Sequence, residues 1–476
     1  MPKQTEKAVK IHKNTVFDTL SEGSNFASRK KKNKTNMKKT KFSNRFLTAG
    51  TALLMCGVMT AQNGNENNIP SEYTGWNKYR IGGYGEMLGS FMNYGPNRMA
   101  TSAGSIDDNR STISIPRFVI AGDYKFSDKW ILGAEIEFEA GGVGAAKEID
   151  WMDENGEYET ETEKGGEVAL EQFHITRLIN KHINVRIGHM VLPIGLVNAH
   201  HEPINFFGTS RPEAETTFIP STWHETGLAL FGSFFRNRVN YEAMVVAGLN
   251  CDGFARADWV SGGKQGAFET DAFSSPAYVG RLDFNLVKGL RFGGSVYYCA
   301  NTAANADKTQ RYSDFKVPVF IWSADAQYKG YGLTARASCL FGNIGNTDKL
   351  AQARKNLPNA SGYSVKYTSA KRAASWGGEI GYDLCYAIPS LKGKAVAGLY
   401  PFVRYEYFNP VEDVEEGQTK YDQFKVSKWT FGANWYALPN LAIKADYAMR
   451  RIGGDKYNNE NEFSIGIAYI TWFAKK

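Results

Sequence analysis

The stretch 424–452, FKVSKWTFGANWYALPNLAIKADYAMRRI, decides the fold. In its first half Trp429, Phe431, Ala433 and Trp435 alternate with Thr430, Gly432 and Asn434. In its second half Leu441, Ile443, Ala445 and Tyr447 alternate with Ala442, Lys444 and Asp446. A period of two puts the two sets on opposite faces of a strand. One face is apolar; the other is polar or small. Only Ala437 and Leu438 part the halves, so the two strands form a tight antiparallel hairpin.

The same unit recurs from about residue 76 to the C-terminal end. Sixteen segments carry it: 79–92, 111–124, 129–141, 167–178, 182–191, 223–236, 238–250, 276–286, 289–300, 317–328, 330–341, 374–387, 397–409, 424–436, 439–452 and 460–473. No 3.6-residue pattern recurs beside it. The connections alternate in length. Those at 125–128, 180–181, 237, 287–288, 329 and 437–438 are very short. Those at 93–110, 142–166, 192–222, 251–275, 301–316, 342–373 and 410–423 are long and polar, with 388–396 intermediate. A soluble sandwich or propeller has no reason to gather its long loops at one end, and strands this one-sided would expose wide apolar bands. A membrane barrel has both features. In lipid every backbone polar group must be paired, so a spanning sheet must close on itself. The predicted fold class is therefore all-β: a transmembrane antiparallel β-barrel of about 16 strands over 76–476, wide enough for an aqueous lumen.

The 476 residues are 42% hydrophobic and 13% aromatic, with 48 Gly, which excludes a disordered chain. The formal charge of +7 hints at nucleic acid, but its location removes the hint. Residues 37–61, MKKTKFSNRFLTAGTALLMCGVMTA, have the basic, apolar and small-residue parts of a secretory signal. Cleavage is expected after Ala61, with Met37 as the start and 1–36 a basic, structureless leader. Residues 62–475 plus Lys476 then carry 43 basic and 46 acidic side chains, so no basic patch and no nucleic-acid partner is expected. Residues 62–75 are read as a short periplasmic segment. The expected location is the outer membrane of a Gram-negative cell. The exported chain keeps Cys251, Cys299, Cys339 and Cys385, spaced too irregularly for a zinc motif or disulfide framework, and they are read as free or buried thiols.

Residues 167–230 contain a strand, a tight turn, and a strand ending in Gly188-His189-Met190-Val191-Leu192-Pro193-Ile194-Gly195 before a long loop. This resembles the phosphate-selective porin O and P family, as do IPRFVIAGDY at 115–124 and LYPFVRYEYFN at 399–409. The resemblance implies a sixteen-stranded homotrimeric barrel passing anions by diffusion. It also implies that the third outside loop, here 192–222, folds inward and narrows the pore. His200, His201, Glu202, Arg211 and Glu213 are the expected constriction residues, with Glu215 and three phenylalanines beside them. Pro193, Pro203, Pro212 and Pro220 would stiffen the loop.

A pore for phosphate needs guanidinium or ammonium groups along the lumen. By strand parity the pore-lining cations are Arg80, Arg117, Arg186, Arg281, Arg291, Arg336, Arg404, Lys444 and Arg450. Carboxylates of the same parity are as many: Glu86, Asp123, Glu135, Glu137, Glu139, Asp283, Glu379, Asp383, Glu406 and Asp446. Arg281/Asp283, Arg404/Glu406 and Lys444/Asp446 sit two apart on one face, where they would neutralise one another. The expected function is passive diffusion of small polar or anionic solutes, phosphate among them. The alternative is a barrel that serves adhesion or reception through its outside loops. No catalytic residues are assigned, because His174 has no serine partner nearby. No cofactor and no metal are assigned either: the adjacent His200-His201-Glu202 rarely aim at one ion, and the acidic run 148–167 lacks the calcium-loop spacing. The expected partners are outer-membrane lipid, the solute and two further copies of the chain.

Overall fold

The computed structural model describes residues 71–96, 107–142, 146–150, 159–163, 168–220, 222–265, 270–306, 309–355, 369–393, 395–454, 457 and 459–476. The signal segment and everything before residue 71 lie outside them. The strands are β1 (Tyr79–Pro96), β2 (Asp107–Ser127), β3 (Trp130–Glu139), β4 (Ala146–Asp150), β5 (Glu159–Glu163), β6 (Val168–Leu178), β7 (Asn184–Val191), β8 (His224–Phe234), β9 (Val239–Val246), β10 (Ala277–Val287), β11 (Leu290–Cys299), β12 (Val319–Gly330), β13 (Leu333–Ile344), β14 (Arg372–Tyr382), β15 (Gly398–Asp413), β16 (Val426–Leu438), β17 (Leu441–Ile452) and β18 (Glu460–Lys475). Sixteen of them form one closed antiparallel barrel in chain order, and β18 returns to pair with β1. The strands β4 and β5 pair only with each other, in the connection between β3 and β6. The acidic run 148–167 falls partly on this hairpin and partly outside the described residues.

The hairpin that opened the sequence reading is β16–β17, with Trp429 opposite Met449 and Phe431 opposite Tyr447. Its two faces are inverted relative to a soluble protein. Trp429, Phe431, Trp435 and Tyr447 are 40–45% exposed, whereas Thr430, Asn434, Lys444 and Asp446 are 0–5% exposed. Apolar outside and polar inside is a stable arrangement only where the outside is hydrocarbon. Outward aromatic side chains join across strands. Tyr405 lies 5.2 Å from Trp376 and 4.7 Å from Trp429 by ring centroids, and Trp376 stacks on Tyr407 at 5.5 Å. Cross-strand aromatic pairs of this kind stabilise a sheet and sit well at a lipid interface.

Short turns close one end of the barrel. Between β12 and β13, Tyr331 and Gly332 both take positive φ (51° and 79°), the twist that lets two residues join antiparallel strands. The long connections at the other end are less polar than their composition suggests. Trp259, Phe254, Leu249, Val260, Val317 and Leu350 come from three different loops and bury one another in a common core. Arg354, fully buried on α2 (Thr347–Lys355), donates to the Phe254 carbonyl at 2.9 Å and knits two of those loops. All four described cysteines are free thiols.

Of the N-terminal segment, the described residues 71–76 pack against the barrel wall. Glu72, Tyr73 and Trp76 are buried, and Lys125 donates to the carbonyls of Tyr73 and Trp76 at 2.7 Å each. Tyr73 and Trp76 pack with Ile131, Leu178 and Phe231, inward-facing residues near the short-turn end. The aromatic pair would otherwise stand in water, which explains why the chain turns in.

Candidate channel interior

Segment 192–220 lies inside the barrel. Its backbone meets strands on every side of the ring. Arg117 on β2 donates to the His201 carbonyl at 2.5 Å, and Arg281 on β10 to the Gly195 carbonyl at 2.9 Å. The Gly195 amide donates to Ser295 and Ser323 on β11 and β12. The amides of Phe207, Thr209 and Ala214 donate to Glu379 on β14, Asp446 on β17 and Glu406 on β15. A chain that touches β2, β10, β14 and β17 of a closed ring can only be within it. The segment has little secondary structure of its own beyond the single turn α1 (Glu213–Thr216). Its buried N–H and C=O groups therefore need partners from the wall. Internal ties hold its shape. Glu215 accepts from the amides of Leu196 and Val197, and Asn198 bridges the two stems through the Leu192 carbonyl and the Trp223 amide. No described residue from 192 to 220 is exposed.

The nine parity-assigned cations all face this interior, and each is engaged. Arg80 pairs with Asp123 at 2.5 Å and Arg186 with Glu72 and Glu242 at 3.7 and 3.6 Å, near the short-turn end. Arg281 and Arg291 share Asp283 and Asp325. Arg336 and Arg404 both grip Glu379, and Arg404 also donates to the Ser210 carbonyl. Arg117 spans Glu86 and Glu137. Arg450 joins Glu213 and Glu460. Lys444 departs from the expected pairing with Asp446. Its ammonium turns instead to the carbonyls of Pro203, Phe206 and Gly208, while Asp446 serves the Thr209 amide. The inserted backbone presents bare carbonyls there, and three converging acceptors outcompete one carboxylate two residues away. The Arg281/Asp283 pair forms as parity suggested, at 2.9 Å, and Arg404 reaches Glu406 only at 3.9 Å. Two carboxylates leave the expected set. Glu139 is exposed at the end of β3, and Asp383 caps α3 (Leu384–Ala387) through the Cys385 amide.

The five constriction-loop residues sit together inside the barrel but do different work. Glu213 accepts from Lys428 and from Arg450 (3.0 Å); burial pushes its carboxyl up, but those two charges outweigh it and hold it at about 2. His200 donates from Nδ1 to the Leu196 carbonyl, so its Nε2 accepts from Arg291 at 3.2 Å. Burial, with the Arg291 charge, keeps that imidazole well below its usual range. His201 is pulled down to about 3 by burial, against the raising charge of Glu202. Glu202 accepts from Asn205 at 2.6 Å, and Arg211 donates to Thr222 at 3.3 Å. His200, His201 and Glu202 do not converge on one point as a triad.

Strand parity missed several inward groups. Lys428 and Asp325 share the inward parity of Thr430 and Ser323 and belong to the same charged wall. Glu171 could not have been found that way. Opposite β3, Glu135 pairs with Gln172 and Ile136 with Leu170, so Glu171 is an extra residue in a β-bulge. The bulge turns Glu171 inward beside Gln172, where it is fully buried.

Two cavities lie within the barrel among the described residues. One of about 500 Å³ runs between the inserted segment and the wall from β12 to β15. Its loop side is Leu196, Val197, Phe206, Pro212 and Ala214; its wall side brings Arg336 and Arg404 against Glu379 and Glu406. The other, about 460 Å³, lies toward the short-turn end among Arg80, Asp123, Glu135, Gln172 and Arg186.

No family model matches the chain. It is 25% identical over 397 residues, 82% of this chain and 79% of the other, to an uncharacterized protein of Aquifex aeolicus. Among solved structures it is similar to Salmonella typhi OmpF in complex with daunomycin, at TM-score 0.50 and 12% identity, covering 83% of this chain and 98% of that one. It also matches an anion-selective porin from Comamonas acidovorans (TM-score 0.46, 9% identity, 83% and 100% covered) and the outer membrane channel DcaP of Acinetobacter baumannii (0.47, 10%, 84% and 98%). The likeness is one of fold. It is a closed sixteen-strand antiparallel barrel.

Proposed function

We propose that this chain is an outer-membrane porin through which small polar or anionic solutes diffuse, exported by its signal segment and assembled as a homotrimer. The observation that carries the reading is the interior. A charged wall and a folded-in segment leave a cavity beside Arg336 and Arg404. Charges facing each other across a narrow watery gap tune which ions pass. Facing carboxylates and the ties on every cation favour weak anion preference over a phosphate ladder. Phosphate, the solute implied by the resemblance at 167–230, is the finer question. The trimer rests on that resemblance alone and is read by chemical cross-linking of the refolded chain.

A second reading has its own support. No described residue of the inserted segment is exposed and its partners are spent on holding it, which suits a closed barrel that displays its loops. Vesicle swelling separates the two. Proteoliposomes holding the refolded chain are placed in isotonic arabinose, in a large oligosaccharide, and in sodium phosphate. Swelling in arabinose but not in the oligosaccharide supports the porin. No swelling in any solute, from a barrel shown to be folded by its heat-modifiable migration, favours loop display.

A further inference from the structure

We propose that Glu135 on β3, Glu171 on β6 and His201 of the inserted segment form a binding site for one divalent metal ion of the zinc class inside the barrel. Their ligand atoms all lie within 4.8 Å of one another, and all three residues are buried. Three chain segments distant in sequence supply them. A neutral imidazole and two carboxylates form a ligand set that suits zinc and its transition-metal neighbours.

Hydrogen-bond accounting points to a missing positive charge. Glu135 Oε1 and Glu171 Oε1 are buried with no hydrogen-bond partner. The other Glu135 oxygen accepts from Gln172. His201 Nδ1 faces the Asn198 carbonyl at 3.2 Å, and a carbonyl only accepts, so the proton is on Nδ1. Nε2 then presents a lone pair toward the cluster, oriented as metal-binding imidazoles are by their second nitrogen. The Tyr84 hydroxyl lies 3.0 Å from that Nε2 and 3.4 Å from Glu171 Oε2, with one proton for both. Leaving buried carboxylate oxygens without donors is costly. The neighbouring guanidinium of Arg117 is already turned to Glu86, Glu137 and the His201 carbonyl. Arg211 lies within electrostatic reach of Glu137 and Glu171, and Glu202 adds a further carboxylate near Glu135. Lys264 stands near Glu137 and Lys444 near Glu86, so the unmet demand centres on Glu135 and Glu171, whose unpartnered oxygens a divalent cation would satisfy.

Two further features belong to a built site. The β-bulge exists at Glu171 itself, and without it this carboxylate would point to lipid. The cavity of about 460 Å³ includes Glu135 and Gln172 in its lining, which gives an ion and its remaining water ligand a way in from the short-turn end.

The test is zinc binding by the refolded full-length chain in detergent, with zinc as the only added metal. After metal stripping, isothermal titration and elemental analysis read the stoichiometry. In a separate metal-stripped sample, cobalt added in place of zinc reads the coordination through its visible absorption. One zinc per chain is expected. Glu135→Gln and Glu171→Gln should each weaken it by at least about 10-fold, with the barrel's heat-modifiable migration unchanged. Asp413→Asn, at the end of β15 where Asp413 pairs with Arg372 away from the cluster, should bind as the parent does. No stoichiometric binding by the parent overturns the proposal. So does binding that survives both amide variants, since the ion would then sit elsewhere.

Discussion

Glu213 shows how a single carboxylate can hold the inserted segment in place. It is the only group of α1 that reaches Lys428 and Arg450 together, and those two charges keep it ionised far below the ordinary carboxylate range. A depressed pKa gives stability that is complete above the unfolded value and lost as pH falls through the folded one. The Glu213 anchor should therefore persist through mildly acidic solution and fail only near pH 2. Glu213→Gln should weaken the docking of residues 211–216 by about 1.5–3 kcal/mol, the worth of hydrogen bonds to charged groups. Hydrogen exchange over those residues, corrected for its intrinsic pH dependence, checks both statements. Protection that falls away already between pH 5 and 4 in the parent would contradict the first. At this scale the sequence was only half legible. Parity named the nine cations and their inward direction, because period two is a property of one strand. It could not name their partners, because those come from a segment whose path is set by the whole ring. It could not see Glu171 at all, because one inserted residue reverses the alternation on which the reading depends.

The strands themselves were readable nearly residue by residue. The sixteen segments match the barrel strands to within a few residues at most ends, since the lipid face and the watery face differ so sharply along each strand. The long connections were not. Their glycines, asparagines and charges read as solvated loops, yet Trp259, Phe254 and Val260 build a shared core that only the folded arrangement brings together. The lipid-facing assignment makes a prediction that belongs to an element. Leu282 lies at the centre of β10, outward-facing and 47% exposed. Leu282→Arg should destabilise the barrel in phospholipid vesicles by ~2–4 kcal/mol, the cost of a lipid-facing arginine near the midplane. Urea unfolding monitored by tryptophan fluorescence measures it. A neutral or stabilising effect would mean that this face meets water or protein.

For the whole molecule the question is whether the interior conducts. Closing sixteen strands leaves room for water, and the inserted segment then takes much of that room for itself. What remains runs beside Arg336 and Arg404, with carboxylates close by on the same wall. The most direct test is single-channel conductance of the refolded chain in a planar bilayer, with the reversal potential taken in a potassium chloride gradient and repeated with added phosphate. Stepwise openings, a reversal potential shifted modestly toward chloride, and a current little changed by added phosphate are the predicted result. A membrane that stays silent while the inserted protein is demonstrably a folded barrel would contradict it.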